Sequence, residues 1–206
     1  MTDVFLLLKG LLIGLSIAAP VGPIGLLCIK RSLEHGLAAG LATGLGAATA
    51  DAFYGAVAGF GLASISSFLT AQQTPLRIVG GLVLLWLGAS SFRERPARER
   101  TLENGRNLFV DYATTVGLTL TNPATIISFA AVFASVGLSE AAGSYAKAGS
   151  FVAAVFVGSA LWWLALSTSV SLVRARISTG AIRWINRASG LVLIGFAVSA
   201  WASLAA

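Results

Sequence analysis

The residues that build most metal and redox sites are almost missing from this chain. It has one cysteine, Cys28, and one histidine, His35, which excludes an internal disulfide, a CxxC redox pair and a metal centre built on histidines. Charge is scarce as well: 11% of the 206 residues are Asp, Glu, Lys or Arg, against roughly 25% in a soluble domain. Charge that sparse cannot cover a globular surface. No HExxH pair, no Walker sequence and no obvious nucleophile–base pair occurs, so an intramembrane hydrolase and a nucleotide-driven pump both lack their parts. The opening MTDVFLLLKG carries no basic leader and continues into apolar sequence; it reads as a first span rather than a cleaved signal.

What the chain does have is length in apolar runs. Hydrophobic residues make up 56% of it, and several runs exceed the roughly 20 residues that cross a hydrocarbon core. The expected fold is an all-α integral membrane protein with six transmembrane helices, at 4–29, 37–68, 75–92, 109–136, 150–173 and 182–204. The stretch RERPARERTLENGRN (93–107) separates a first set of three, 1–92, from a second, 108–206. The net charge of +6 reads as a topology signal rather than a nucleic-acid surface. Eleven of the 14 basic residues fall in alternate connections: Lys30 and Arg31; Arg93, Arg95, Arg98, Arg100 and Arg106; Arg174, Arg176, Arg183 and Arg187. The positive-inside rule then places both termini outside the cytoplasm.

The two sets look related. GLSIAAP (14–20) and GLTLTNP (117–123) share Gly-Leu and a proline six residues after the glycine, and GLVLLWLGAS (from 81) aligns with GLVLIGFAVS (from 190). Two three-helix sets are inverted relative to one another, a transporter plan with its site at the repeat interface near the midplane. Helices 1 and 4 are expected to break at their prolines. Pro20, Pro23 and Pro123 lack an amide donor and clash with the carbonyl four residues back, and in lipid such breaks persist only where protein or a wet cavity satisfies the freed groups. One reading makes each break a pair of half-helices whose amide-bearing ends face a shared cavity and suit a carboxylate. The other makes them packing kinks.

Asp51 lies near the centre of the second span. A carboxylate there costs about 2.5–3.5 kcal/mol on insertion scales and usually marks an ion or substrate path. It is either protonated, or paired with a cation that the substrate brings, or a neutral acid bonded to a nearby carbonyl. Tyr54, three residues on, holds a bound polar group or simply packs. Asp111, at the start of span four, reads as a favourable helix N-terminal charge or as part of a vestibule. Gly36, Gly40, Gly44, Ala48, Ala52 and Ala56 form a small-residue stripe that permits close helix approach, within the chain or across a dimer seam. Trp162 and Trp163 sit too far from either end of their span for a simple interfacial belt and read first as lipid-facing or core packing, with one of them facing the cavity as the alternative.

These pieces resemble the LysE/RhtB family of bacterial amino-acid exporters over essentially the whole chain: APVGPIGLLCIKRSL after GLLIGL, TADAFYGAVAGFG, TNPATIISFAAVF and WINRASGLVLIGFA. The resemblance implies a bacterial inner-membrane carrier that exports amino acids against protons or along the membrane potential. It points to Pro20, Gly22, Pro23, Asp51, Asn122 and Pro123 as site residues and allows a homodimer. Tyr54 joins them on the residue reading alone. The expected partners are the amino acid, protons and the bilayer, with Asp51 coupling the two fluxes and no cofactor or metal. A metal or inorganic-ion exporter is the alternative, although hard cations want several oxygen ligands and the spans offer one central carboxylate.

Overall fold

Proline and glycine decide where the first element stops. The computed structural model describes residues 2–20, 22–60, 72–93, 107–122, 125–126, 128–129, 144–174, 176–202 and 204. Helix α1 (Thr2–Ala18) ends two residues before Pro20, and α2 (Pro23–His35) starts on Pro23. Proline suits a first helical position because an amide there would have no partner inside the helix. Gly22 before it is extended, with φ −102° and ψ −161°. The helix axes bend by 77° across this break. At its far end α2 stops on Gly36, whose φ of +86° is left-handed backbone that favours glycine. The Gly36 N–H donates to the Ser32 carbonyl at 3.0 Å, and α3 (Leu37–Gly59) begins at once.

The other elements are α4 (Gln73–Arg93), α5 (Leu108–Leu120), α6 (Tyr145–Arg174) and α7 (Thr179–Ala202). Among the described residues there are seven helices and no strand. The Asn107 side chain caps α5 by accepting the Phe109 N–H at 3.0 Å, satisfying one orphan donor. α5 ends at Leu120, and the Asn122 N–H donates to the Thr119 carbonyl at 3.2 Å, an acceptor that Pro123 cannot serve for want of an N–H. Pro123 itself and 94–106 of the basic stretch lie outside the described residues.

α1 lies along α6, α3 sits between α6 and α5, and α4 pairs with α7; α2 is central, in contact with α3, α5, α6 and α7. Two apolar clusters hold this arrangement. One gathers Ile24, Leu27, Leu118, Trp163 and Leu193 around α2; the other gathers Leu6, Ile13, Tyr54, Phe129, Phe151 and Val155 between α1, α3 and α6. The outer face is apolar too, with Phe5, Leu12, Trp86, Leu172, Trp184 and Leu191 exposed, a surface that suits hydrocarbon rather than water. Among the described residues α6 alone is long and apolar enough to cross a bilayer, and the bent α1–α2 pair meets the same requirement jointly.

The glycine stripe of α3 packs inside the chain. A Cβ on Gly40 would collide with the Ser32 hydroxyl, and one on Gly44 would collide with the Trp163 side chain. Lys30 and Arg31, expected in a connection after Ile29, instead lie within α2, 3% and 5% exposed. The helix continues through them because their charges are met: Lys30 Nζ lies 4.0 Å from Glu34 Oε2, and Arg31 Nε lies 3.2 Å from Asp111 Oδ1. Arg174 at the end of α6 donates to the Glu34 carbonyl at 3.0 Å, so these basic residues share one end of the bundle.

Candidate functional site

The break between α1 and α2 opens onto a small cavity. Its walls come from Ile17 and Ala18 at the end of α1, from Pro20 and Gly22 to Gly25 around the start of α2, from Ala47 and Asp51 on α3, from Thr119, Asn122 and Thr125 at the end of α5 and beyond it, and from Trp163 on α6. Pro20 at the rim is exposed. The space open to the centre of a water molecule is about 50 Å³, room for about three to five waters.

Asp51 is the buried charge site of this cavity, 3% exposed. The Ser159 hydroxyl donates to its Oδ2 at 2.6 Å, and the Trp163 indole N–H in turn donates to Ser159 Oγ at 3.1 Å. Ser159 and Trp163 are four residues apart on α6, hence on one helical face. This pair fixes one carboxylate oxygen and aims the group from α3 into the cavity. The first turn of α2 lines the same cavity. Amides in a first turn have no acceptor within their own helix. Gly22 supplies no side-chain cap and no acidic residue occupies that turn, so its partial positive charge is left for a ligand. Among the described residues no Lys or Arg lines the cavity.

Thr119 adds a third polar feature. It is 3% exposed, yet its hydroxyl has no hydrogen-bond partner among the described residues. A buried hydroxyl left unmet costs about 1–3 kcal/mol, which a ligand in the cavity would recover. Thr119→Val, close to isosteric, is therefore expected to leave the melting temperature unchanged or raised and to weaken ligand binding about 5- to 10-fold, as read by ligand-induced thermal shift of the detergent-solubilised protein.

Of the residues singled out from sequence, Pro20, Gly22, Pro23, Asp51 and Asn122 meet around this one cavity; Pro123 lies outside the described residues. Tyr54 stands apart. Its ring stacks on Phe129 with centroids 5.2 Å apart, and its hydroxyl donates to the Leu120 carbonyl at 2.7 Å, capping one of the orphan acceptors at the end of α5. Tyr54→Phe should cost about 1 kcal/mol of stability in a thermal unfolding assay, with ligand affinity changed less than twofold. Ser159 and Thr119 carried no signal in sequence, since a hydroxyl in an apolar helix is unremarkable until its neighbours are known.

A family model for the LysE type translocator matches residues 15–203, a span that contains every residue of the cavity. The chain belongs to the LysE type translocator family. It is 31% identical over 174 residues to the "Uncharacterized membrane protein YahN" of Escherichia coli (strain K12), covering 82% of this chain and 77% of that protein. It is 27% identical over 195 residues to the "Putative amino acid efflux protein YcgF" of Bacillus subtilis (strain 168), covering 92% and 91%. No solved structure matches it. As a LysE type translocator it is a membrane protein, which accounts for the apolar outer face.

Proposed function

We propose that this translocator exports amino acids across the bacterial inner membrane, with the cargo's ammonium on Asp51 and its carboxylate at the first turn of α2. The observation that carries the reading is the pairing, within one cavity of about 50 Å³, of a buried carboxylate with an uncapped helix N-terminus. The two poles differ in strength. An ammonium about 4 Å from a carboxylate gains about 4 kcal/mol at an effective dielectric of 20, whereas a helix terminus contributes about 0.3–1 kcal/mol, rising to about 2 where partly buried. Asp51 therefore supplies affinity and the α2 terminus supplies orientation.

A proton and an ammonium compete for the same carboxylate, so release of one to either side allows entry of the other. That competition couples export to proton antiport. The helix contacts support the inverted-repeat plan: α1 on α6 mirrors α5 on α3, while α3 with α6 and α4 with α7 are pairs that exchange into themselves when the halves are swapped. Six spans, with the first broken at Pro20 to Pro23 and the fourth at Pro123, and with both termini periplasmic by the positive-inside bias, complete the reading.

The test is counterflow in proteoliposomes with the purified protein. Amino acids preloaded on one side should drive accumulation of labelled amino acid, and an imposed proton gradient should set its direction. Absence of counterflow with every amino acid would overturn the assignment, and transport of a divalent cation instead would replace it.

A further inference from the structure

The cavity lies at the start of α2 and the end of α5, and a second polar cluster joins the same two helices further along. Counting at 1.5 Å per residue, Arg31 lies about 9 Å along α2 from Gly25, and Asp111 lies about 12 Å along α5 from Thr119. Arg31 Nε is 3.2 Å from Asp111 Oδ1. Its Nη1 donates to the Asp111 carbonyl at 2.9 Å, to Thr115 Oγ1 at 3.0 Å and to Thr43 Oγ1 at 3.1 Å, and its Nη2 donates to Thr114 Oγ1 at 3.0 Å. One guanidinium thus ties α2 and α3 of the first half to α5 of the second.

An internal ion pair is a weak source of stability, because desolvating both charges offsets most of their attraction and an apolar pair of similar volume serves as well. Its chemistry is more telling. Separated, Arg31 offers a planar fork that matches a carboxylate, and Asp111 offers an acceptor for an ammonium. A zwitterion presents both complements at once. A lone amine or a lone acid presents one and leaves the other buried charge unmet, which is strongly unfavourable.

We propose that the Arg31–Asp111 pair is an entry site for zwitterionic amino acids at the basic end of the bundle, opened by the cargo itself as carboxylate and ammonium replace the two protein partners. This rests on the amino-acid reading above and extends it to a second site. Leu27 on α2 and Leu118 on α5 are buried in one apolar cluster, so splitting the pair would loosen the α2–α5 contact beside the cavity.

The wild-type chain carries its own reporter. Cys28, its single cysteine, is fully buried one turn from Arg31 on α2. In inside-out vesicles, a membrane-impermeant thiol reagent should label Cys28 slowly without cargo and at least 5-fold faster with an amino acid that the protein transports. The corresponding decarboxylated amine and deaminated acid should have no effect. The double variant Arg31→Leu/Asp111→Leu removes the pair without stranding a charge; it should keep its melting temperature within a few degrees and lose at least 10-fold in counterflow. Asp111→Asn, which keeps the Arg31 contacts to backbone and threonines, should lose the amino-acid effect on labelling. Equal labelling by all three ligands, or wild-type counterflow by the double variant, would overturn the entry site while leaving the cavity reading intact. Absence of counterflow in the wild type strikes the cavity reading instead.

Discussion

Asp51→Asn is expected to abolish amino-acid counterflow while leaving a folded protein. Asparagine has nearly the volume of aspartate and keeps a carbonyl oxygen for the Ser159 hydroxyl, which now lies 2.6 Å from Oδ2. Melting should therefore change little. What is lost is the charge. If the ammonium sits about 4 Å from the carboxylate, about 4 kcal/mol disappears at an effective dielectric of 20, and at 1.4 kcal/mol per decade that is about a thousandfold in affinity. Coupling should vanish with it, because an amide does not exchange protons with the cargo's ammonium. The measurements are counterflow and amino-acid-dependent proton flux in proteoliposomes, beside a thermal melt in detergent. A variant that melts as wild type and transports with the wild-type pH dependence removes Asp51 from the coupling step. A variant that binds cargo normally but no longer moves protons keeps the coupling role and moves the ammonium elsewhere.

Asp51 was legible because a charge inside an apolar run has no cheap explanation. The proline motif was legible for a related reason, since an unmet backbone carbonyl in lipid must be answered. The partners of these groups were not. Ser159 is 108 residues from Asp51 in the chain, and a serine costs a membrane helix too little to stand out. Thr119 matters only once α5 is seen to end at Leu120, which leaves its hydroxyl at the cavity. Of the two readings of Tyr54, the contacts present are packing ones: its ring lies on Phe129 and its hydroxyl donates to the Leu120 carbonyl, partners far away in sequence. Arg31 was misplaced by the very rule that orients membrane proteins. A basic residue after an apolar run reads as a loop charge, and only the tertiary contact with Asp111, 80 positions away, explains why the helix runs on.

The largest effect on stability should come from two glycines, Gly14 and Gly158, where backbone meets backbone. Where α1 crosses α6, a Cβ on Gly158 would strike the Leu11 carbonyl, with its carbon 2.9 Å away, and a Cβ on Gly14 would strike the Val155 carbonyl and sit 3.0 Å from the Ser159 amide. Backbone atoms cannot rotate aside as a side chain can, so the two helices must separate along their length. Overpacking of this kind costs about 1–3 kcal/mol and occasionally more, and here both obstacles are backbone. Gly158→Ala and Gly14→Ala should each lower the melting temperature markedly, and Gly14→Val should prevent recovery of folded protein. Gly149 supplies the contrast. It lies on the same α6, is exposed, and an added Cβ there meets no atom within 4 Å. Gly149→Ala gains about 0.8–1 kcal/mol of helix propensity and should raise the melting temperature. The opposite signs separate close approach from propensity, and a Gly158→Ala protein as stable as wild type would show that α1 and α6 do not meet there. The site depends on that meeting: the α6 backbone that Gly14 touches is the one that carries Ser159, so helices forced apart at Gly14 would also draw the Ser159 hydroxyl away from Asp51.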